Sequence, residues 1–404
     1  MSSITTKPDL VIPAAARLVL DLLAGWRHGT LALETPDGIE RTFRGASQGP
    51  AIRKRMHDWS VCDEVLRAGD IGFAESYIDG RWDADDLPAV LALFNANADA
   101  IERAVYGSAP GIFWYRLKHL LRRNTRRGAR RNIHAHYDLG NVFYAHWLDR
   151  TMTYSAALFE GDAARPLEDA QRAKYERVLA TLNVQPGARI LEIGCGWGGF
   201  ADYAAATRGA HVTGLTVSQA QLDYARARIA QAGLAGRADL RLCDYRDAQG
   251  SFDHVVSIEM YEAVGERYWP AYFRAVRERL RPGGTAVIQA ITIAEARFER
   301  YRRGSDFIQQ YVFPGGMLAS PTRFEADAAR AGLATTGRHA FGLDYAQTLA
   351  RWRERFEAAW PEIAPLGFDE RFRRLWRFYL AYCEAGFRTE STDVFQFALK
   401  REAA

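Results

Sequence analysis

Cysteine is scarce in this sequence, and long apolar runs are absent. The four cysteines, Cys62, Cys195, Cys243 and Cys383, are widely separated and show no CxxC spacing. That excludes a disulfide framework and argues against a zinc site, and it fits a reducing cytoplasm. No stretch of about 18 or more consecutive apolar residues occurs, so no spanning helix is expected. The apolar stretch Val11–Trp26 is broken by Pro13, Arg17 and Asp21. It reads as an amphipathic helix and not as a secretory signal. His134 and His136 lie two apart with no third ligand nearby, so no metal site is expected. Internal repeats and low-complexity segments are also missing.

What is present is a chain of 404 residues, 48% hydrophobic and 25% charged. This is the balance of a soluble globular protein with two or three domains and at least one large core. The net charge of +4 is small, but its distribution is uneven. Arg116, Lys118, Arg122, Arg123, Arg126, Arg127, Arg130 and Arg131 fall close together. Such a cluster suits anionic lipid, nucleic acid or a solvated linker. Its neighbours Phe113, Trp114 and Tyr115 add an apolar face suited to a membrane interface. Three regions follow: residues 1–110, a basic aromatic linker at 111–131, and a large third domain at 132–404. In the first, Thr30–Leu33 and Arg41–Phe43 read as strands, with turns at Asp37-Gly38 and Asp79-Gly80.

The third region has an α/β rhythm. Strands are expected at Ala188–Gly194, His211–Thr216, Ala238–Asp244, Asp253–Met260 and Gly284–Thr292. Helices are expected between them, at 201–207, from Gln219 to about Ala232, and from Tyr268 to Leu280. This pattern defines a doubly wound α/β fold with a parallel sheet, which binds ligands at the carboxyl ends of its strands.

The strongest local motif is Glu192-Ile193-Gly194-Cys195-Gly196-Trp197-Gly198-Gly199, a strand running into a turn that lets backbone approach a ligand. It formally satisfies GxGxxG, so a dinucleotide enzyme is the first rival. Dinucleotide sites place an acid at the end of the second strand, whereas this strand ends in Gly214-Leu215-Thr216. Glu-Ile-Gly-Cys-Gly resembles instead the first motif of class I methyltransferases. Asp244-Tyr245, after the third strand, is placed for an adenine.

Further segments carry a more specific likeness. His136–Asn141, Met152–Ser155, Gly194–Gly199, Gly214–Gln221, Ser257–Gly265, Phe313–Gly316, Asp344-Tyr345 with Thr348-Leu349, and Tyr382-Cys383 resemble the cyclopropane fatty acid and mycolic acid cyclopropane synthase family. The likeness runs from 132 to the end. Residues 1–110 match more loosely, through Gly69–Tyr77, a region that is a small lipid-binding domain in two-domain members. The resemblance implies S-adenosylmethionine as cofactor, held by Tyr154, Ser155, Glu192, Gly194, Cys195, Gly196, Gly198, Thr216, Gln221, Asp244, Tyr245 and Arg246. It also implies a bicarbonate ion near Glu262, Ile291 and Tyr345, and an active-site cysteine at Cys383. His136 is read as orienting a loop at the site. Two positions depart from the family pattern: Ala156 replaces a cysteine and Gln289 replaces a histidine. Both replaced residues help to hold the anion, so bicarbonate and the proton acceptor stay open.

The implied reaction is attack of an acyl-chain double bond on the cofactor's methyl group, followed by proton loss to close a ring. It needs aligned reactants, a dry site, aromatic faces for the cation and a base. Glu262 is the expected base, acting directly or through a held anion or water. The aromatic candidates are Tyr137, Phe143, Trp147, Tyr261, Tyr301, Phe307, Tyr311, Phe313 and Tyr345. Phe298–Met317 is expected to form a cover over an acyl tunnel. The expected substrate is an unsaturated phospholipid, met by a homodimer on the inner face of the membrane. Methyl-branched or methylated unsaturated chains are the alternative product. Nucleic-acid methylation is disfavoured, because Glu259-Met260-Tyr261-Glu262 stands where amino-methylating enzymes carry an Asn-Pro-Pro-Tyr type motif.

Overall fold

The computed structural model describes residues 12–98 and 139–403. The linker at 111–131, His134, His136 and Tyr137 lie outside the described residues. Two compact units emerge, one from residues 12–98 with 369–385, the other from 139–368 with 386–403. Residues 369–385 are expected in the 132–404 domain. In the structure this part of the long helix Glu370–Arg388 groups with the first unit. Arg374 explains why. Its guanidinium donates to the carbonyls of Tyr77 (2.6 Å) and Trp82 (3.0 Å) and to Asp83 Oδ1 (2.9 Å), and lies 4.2 Å from the Tyr77 ring.

In the first unit, α1 (Ala14–Leu23) precedes a four-stranded sheet of order β2-β1-β3-β4. The strands are β1 (His28–Glu34), β2 (Glu40–Arg44), β3 (Ser47–Met56) and β4 (Trp82–Ala84). β1 and β2 contain the two strands read from the sequence and pair antiparallel; β1 also pairs parallel with β3, a strand not read from the sequence. Eight of the ten residues of β3 are charged, small or polar, so its pairing and not its hydrophobicity identifies it. α2 (Ser60–Ile78) is broken at Gly69, whose φ of 60° and ψ of −131° no helix admits. α3 (Leu87–Ala96) is N-capped by Asp86, which accepts from the Ala89 amide at 3.0 Å.

The second unit is built on a seven-stranded sheet of order β10-β11-β9-β8-β5-β6-β7. β5 (Arg189–Ile193), β6 (His211–Thr216), β7 (Ala238–Leu242), β8 (Phe252–Ile258) and β9 (Leu280–Ile293) run parallel, matching the five strands read from the sequence within a few residues. The sheet is mixed, however. β10 (Leu333–Ala340) and β11 (Thr392–Arg401) were not foreseen, and β11 runs antiparallel to both neighbours. It inserts between β9 and β10, so its partners are far away in sequence.

The helices are α4 (Gly140–Trp147), α5 (Leu167–Leu182), α6 (Gly199–Arg208), α7 (Gln219–Gln231), α8 (Tyr261–Val264), α9 (Trp269–Arg279), α10 (Glu295–Tyr301), α11 (Pro321–Arg330) and α12 (Gly342–Ala358). They cover both faces of the sheet. Val178, Leu179, Phe200, Ala204, Leu222 and Ile229 form one core with β5, β6 and β7. Tyr261, Trp269, Phe273 and Phe324 form the other, with β8 and β9. Tyr261 therefore belongs to the core: it stacks on Trp269 at 5.2 Å and meets Phe324 edge-on at 5.0 Å. The order of the parallel strands reverses on either side of β5. This leaves a crevice beyond its carboxyl end.

Candidate functional site

The turn after β5 is tied to the end of β6. The amides of Gly194 (3.0 Å) and Cys195 (2.8 Å) both donate to the Leu215 carbonyl. Gly214 on β6 permits this approach, because a Cβ there would lie 2.6 Å from Leu240 Cδ2 and 3.0 Å from Cys195 Cβ. Cys195 fills the space that Gly214 leaves. Its thiol is buried and pushed well up by desolvation, so it is a packing group rather than a nucleophile. Gly196, at φ 51°, has no atom within 4 Å of its would-be Cβ, so its side of the turn is open.

Around this opening stand the other candidates for a nucleotide site. At the end of β6, Thr216 Oγ1 meets Gln221 Oε1 at 3.1 Å, and Ser218 caps α7 through the Gln221 amide. After β7, Asp244 is clasped by Arg246, through Nε at 2.8 Å and the backbone amide at 3.0 Å. The Tyr245 ring meets Tyr272 edge-on at 5.6 Å. Glu192 is buried on β5, and its Oε2 has no hydrogen-bond partner. Burial pushes its carboxyl up to about 8, with Lys174 opposing. These groups fit an adenosyl sulfonium: an open glycine face, hydroxyl and amide groups at two strand ends, and a buried carboxyl with one oxygen lacking a hydrogen-bond partner.

A second cluster lies beyond β8 and β9. Glu259 takes a left-handed backbone, φ 50°, and is its centre. Its Oε1 accepts from the Ala156 amide (2.8 Å) and Gln289 Nε2 (2.7 Å), and its Oε2 accepts from the Tyr345 hydroxyl (2.6 Å). Gln289 is fixed in turn by Gln396 on β11, at 3.1 Å. Burial raises the Glu259 carboxyl, while Tyr345, Lys174, Ala156 and Gln289 favour its ionised form. Glu262 lies one helical turn on. Its Oε1 accepts from the Ile291 amide, and its Oε2 is buried without a partner. Burial, and then the Glu259 charge, push it up to about 8.

The expected site residues are therefore distributed unevenly. Glu262 and Ile291 are joined directly; Tyr345 and Gln289 converge on Glu259. Tyr154 packs its ring against Tyr144, Trp147 and Trp352 at 5.5, 5.5 and 5.3 Å. The aromatic wall continues from Trp352 to Tyr345 and on to Phe387, which stacks on Tyr345 at 4.4 Å. Cys383 is half-buried on the part of the long helix grouped with the first unit. In Phe298–Met317, α10 is followed by a π-helical turn at Ile308–Val312. Gln309 Nε2 donates to the Gly316 carbonyl at 3.0 Å, and the Met317 amide to the Glu262 carbonyl at 2.8 Å. His136 lies outside the described residues.

Two residues escaped the sequence reading, Glu259 and Lys174. Lys174 is fully buried on α5 and donates to Ser155 Oγ at 2.6 Å. The signal was legible: Leu167, Ala170, Gln171, Lys174, Val178 and Leu182 mark one stripe of that helix, and a lysine on an apolar stripe is unusual.

A central parallel sheet that turns through β9 into an antiparallel β11, with a glycine turn at the end of its first strand, defines the class I methyltransferases. The comparisons make this narrower. Residues 124–397 match the model of the mycolic acid cyclopropane synthetase family, and the chain belongs to that family. It is 44% identical to tuberculostearic acid methyltransferase UfaA1 of Mycobacterium tuberculosis, over 93% of this chain and 88% of that one. It is 34% identical to the cyclopropane-fatty-acyl-phospholipid synthase of Escherichia coli, over 83% and 85%. The crystal structure of mycolic acid cyclopropane synthase CmaA1 complexed with SAH and CTAB matches with a TM-score of 0.63 at 30% identity, covering 67% of this chain and 98% of that one. The protein is thus an S-adenosylmethionine-dependent methyltransferase of the lipid-modifying type. Among the described residues no helix is long and apolar enough to cross a membrane.

Proposed function

We propose that this enzyme methylates the double bond of an unsaturated fatty acyl chain in a phospholipid, and that its product is a methylated chain that keeps an unsaturation. The observation that carries this reading is the convergence of the Ala156 amide, Gln289 and Tyr345 on the Glu259 carboxylate. By resemblance, the positions of Ala156, Gln289 and Tyr345 are ones that surround bicarbonate in the family. Here a side-chain carboxylate takes their hydrogen bonds, so the proton acceptor is built into the chain.

When bound, S-adenosylmethionine supplies an electrophilic methyl carbon. Gly194, Gly196, Thr216, Gln221, Asp244 and Tyr245 would hold it at the strand ends, together with Tyr154 and Ser155. Transfer of that methyl group to one alkene carbon would leave a cation on the other. The wall of Tyr154, Trp352, Tyr345 and Phe387 excludes water and faces that cation, each ring contributing about 0.5–2 kcal/mol. Glu259, with Glu262 behind it, accepts the proton that the cation must lose. A tethered carboxylate reaches only the protons nearest to it, unlike a small mobile anion. Loss from a neighbouring chain carbon, or from the new methyl group to give a methylene once a hydride shift has moved the cation to the methylated carbon, therefore competes with ring closure. Ring closure is the second reading, favoured by the Glu262–Ile291 contact at a position that the resemblance assigns to cyclopropane synthases. The basic aromatic linker would bring a homodimeric enzyme to anionic headgroups on the inner membrane face.

The test is mass spectrometry of acyl chains after incubation with S-adenosylmethionine and monounsaturated phospholipid vesicles. Both products gain one CH₂, so mild catalytic hydrogenation separates them: a methylated alkene takes up one H₂ per chain and a cyclopropane does not. A gain resistant to mild hydrogenation means cyclopropanation. No gain with any unsaturated lipid refutes the reading altogether.

A further inference from the structure

Lys174 is a fully buried lysine that the reaction as described does not use. Acidic groups from three elements act on its charge: Glu259 beyond β8, Asp149 after α4, and Glu192 on β5. The Tyr175 ring lies 4.6 Å beneath its ammonium. One of its three N–H donors is given to Ser155 Oγ at 2.6 Å. Glu192 has a buried oxygen, Oε2, without a partner. Around Glu259 the remaining groups are the Tyr345 hydroxyl from α12, the Gln289 amide from β9, the Ala156 amide, and the Glu262 carboxyl from α8.

α5 also fastens the chain that carries one of those donors. Gln171 Nε2 donates to the Ser155 carbonyl at 2.9 Å, and the Tyr175 hydroxyl meets Thr153 Oγ1 at 2.8 Å. With Lys174 on Ser155 Oγ, three side chains of one helix face pin residues 153–155. The next amide, that of Ala156, is the one that reaches Glu259. A packing role alone would be met by methionine or leucine, which would not require burying an ammonium.

We infer that Lys174 is a positioning residue that keeps Glu259 ionised and aims the Ala156 amide at it, making the carboxylate ready to accept a proton. This rests on the reading of Glu259 as the proton acceptor. Buried between carboxylates, the ammonium is itself pushed down to about 7 by desolvation, with Glu259, Asp149 and Glu192 opposing. Lys174 and Glu259 then titrate as a pair, and removal of the cation moves the carboxyl upward.

The experiment uses the full chain and its K174M, K174Q and K174R variants, with folding checked by S-adenosylhomocysteine binding. The Glu259 carboxyl is followed by NMR of ¹³Cδ-labelled glutamate, its resonance assigned by its loss in E259Q. The pH dependence of kcat is measured in parallel with monounsaturated phospholipid vesicles. In K174M the carboxyl titration is expected to rise by about one unit or more, an approximately tenfold loss of the ionised form on the acid side. K174Q, which keeps a donor for Ser155 without the charge, is expected to do the same, and K174R to stay near the parent. An unmoved carboxyl titration in a K174M or K174Q variant that binds S-adenosylhomocysteine overturns the proposal, as does an equal rise in K174R. If the carboxyl moves and the acid limb of kcat does not, the proposal stands on its electrostatics and Glu259 is not the acceptor.

Discussion

Glu262 offers the sharpest quantitative test of the site's electrostatics. In the fold its carboxyl is pushed from 4.5 up to about 8, first by burial and then by the Glu259 charge. A carboxyl raised in this way stabilises the fold fully only below the unfolded value. As pH rises, the unfolded chain ionises while the folded one keeps its proton, so stability falls until about pH 8 and then levels off. From the two values, the loss between about pH 5.5 and about pH 8.5 is about 3 kcal/mol. Glutamine preserves the acceptor for the Ile291 amide and has no charge to bury. E262Q should therefore lack this component, and its urea midpoint should gain on the parent's as pH rises. The assay is urea unfolding of both proteins at the two pH values, followed by tryptophan fluorescence. Parallel pH curves for parent and variant would refute the argument, because they would mean that Glu262 is ionised or solvated in the fold. E262Q should also lose turnover, which a radiolabelled methyl-transfer assay reads separately.

Three further outcomes follow from particular contacts. Y345F removes the 2.6 Å hydrogen bond to Glu259. The acid limb of kcat should move to higher pH and the rate should fall by about 10²-fold, the low end for acid–base groups; an unchanged pH profile would contradict the assignment. G196A adds a Cβ into open space at φ 51°. It should lower stability by only about 1–2 kcal/mol while weakening S-adenosylhomocysteine binding measured by calorimetry. Unimpaired binding would mean that the cofactor does not approach this turn. R374A strips two carbonyls and Asp83 of a shared donor in the first unit. It should cost about 2–4 kcal/mol, read as a lower unfolding temperature by calorimetry, and wild-type stability would remove Arg374 as the tie.

Much of the second unit was legible because its signals are local. The five parallel strands are short apolar runs closed by glycine or turn residues, and the glycine motif announces the turn after β5. Glu262 and Ile291 were found through motif position, and the structure joins them. β10 and β11 were not legible: their pairing partners lie far along the chain, and Thr392–Arg401 mixes polar with apolar residues on a strand that only its neighbours define. Gln396, which steadies Gln289, was hidden with them.

The chain's order of residues by itself determined the fold class, the cofactor and the family, because each depends on backbone geometry encoded in a few consecutive glycines, turns and strand repeats. Only the tertiary structure decided what the replaced anion-site residues do. Ala156, Lys174, Glu259, Gln289 and Tyr345 come from five separate segments, and no spacing rule relates them. A carboxylate's proton affinity depends on burial and on charges within a few ångströms. Those distances exist only once the segments have packed, which is why Glu259 reads as the end of an expected strand in sequence and as the centre of the site in the fold.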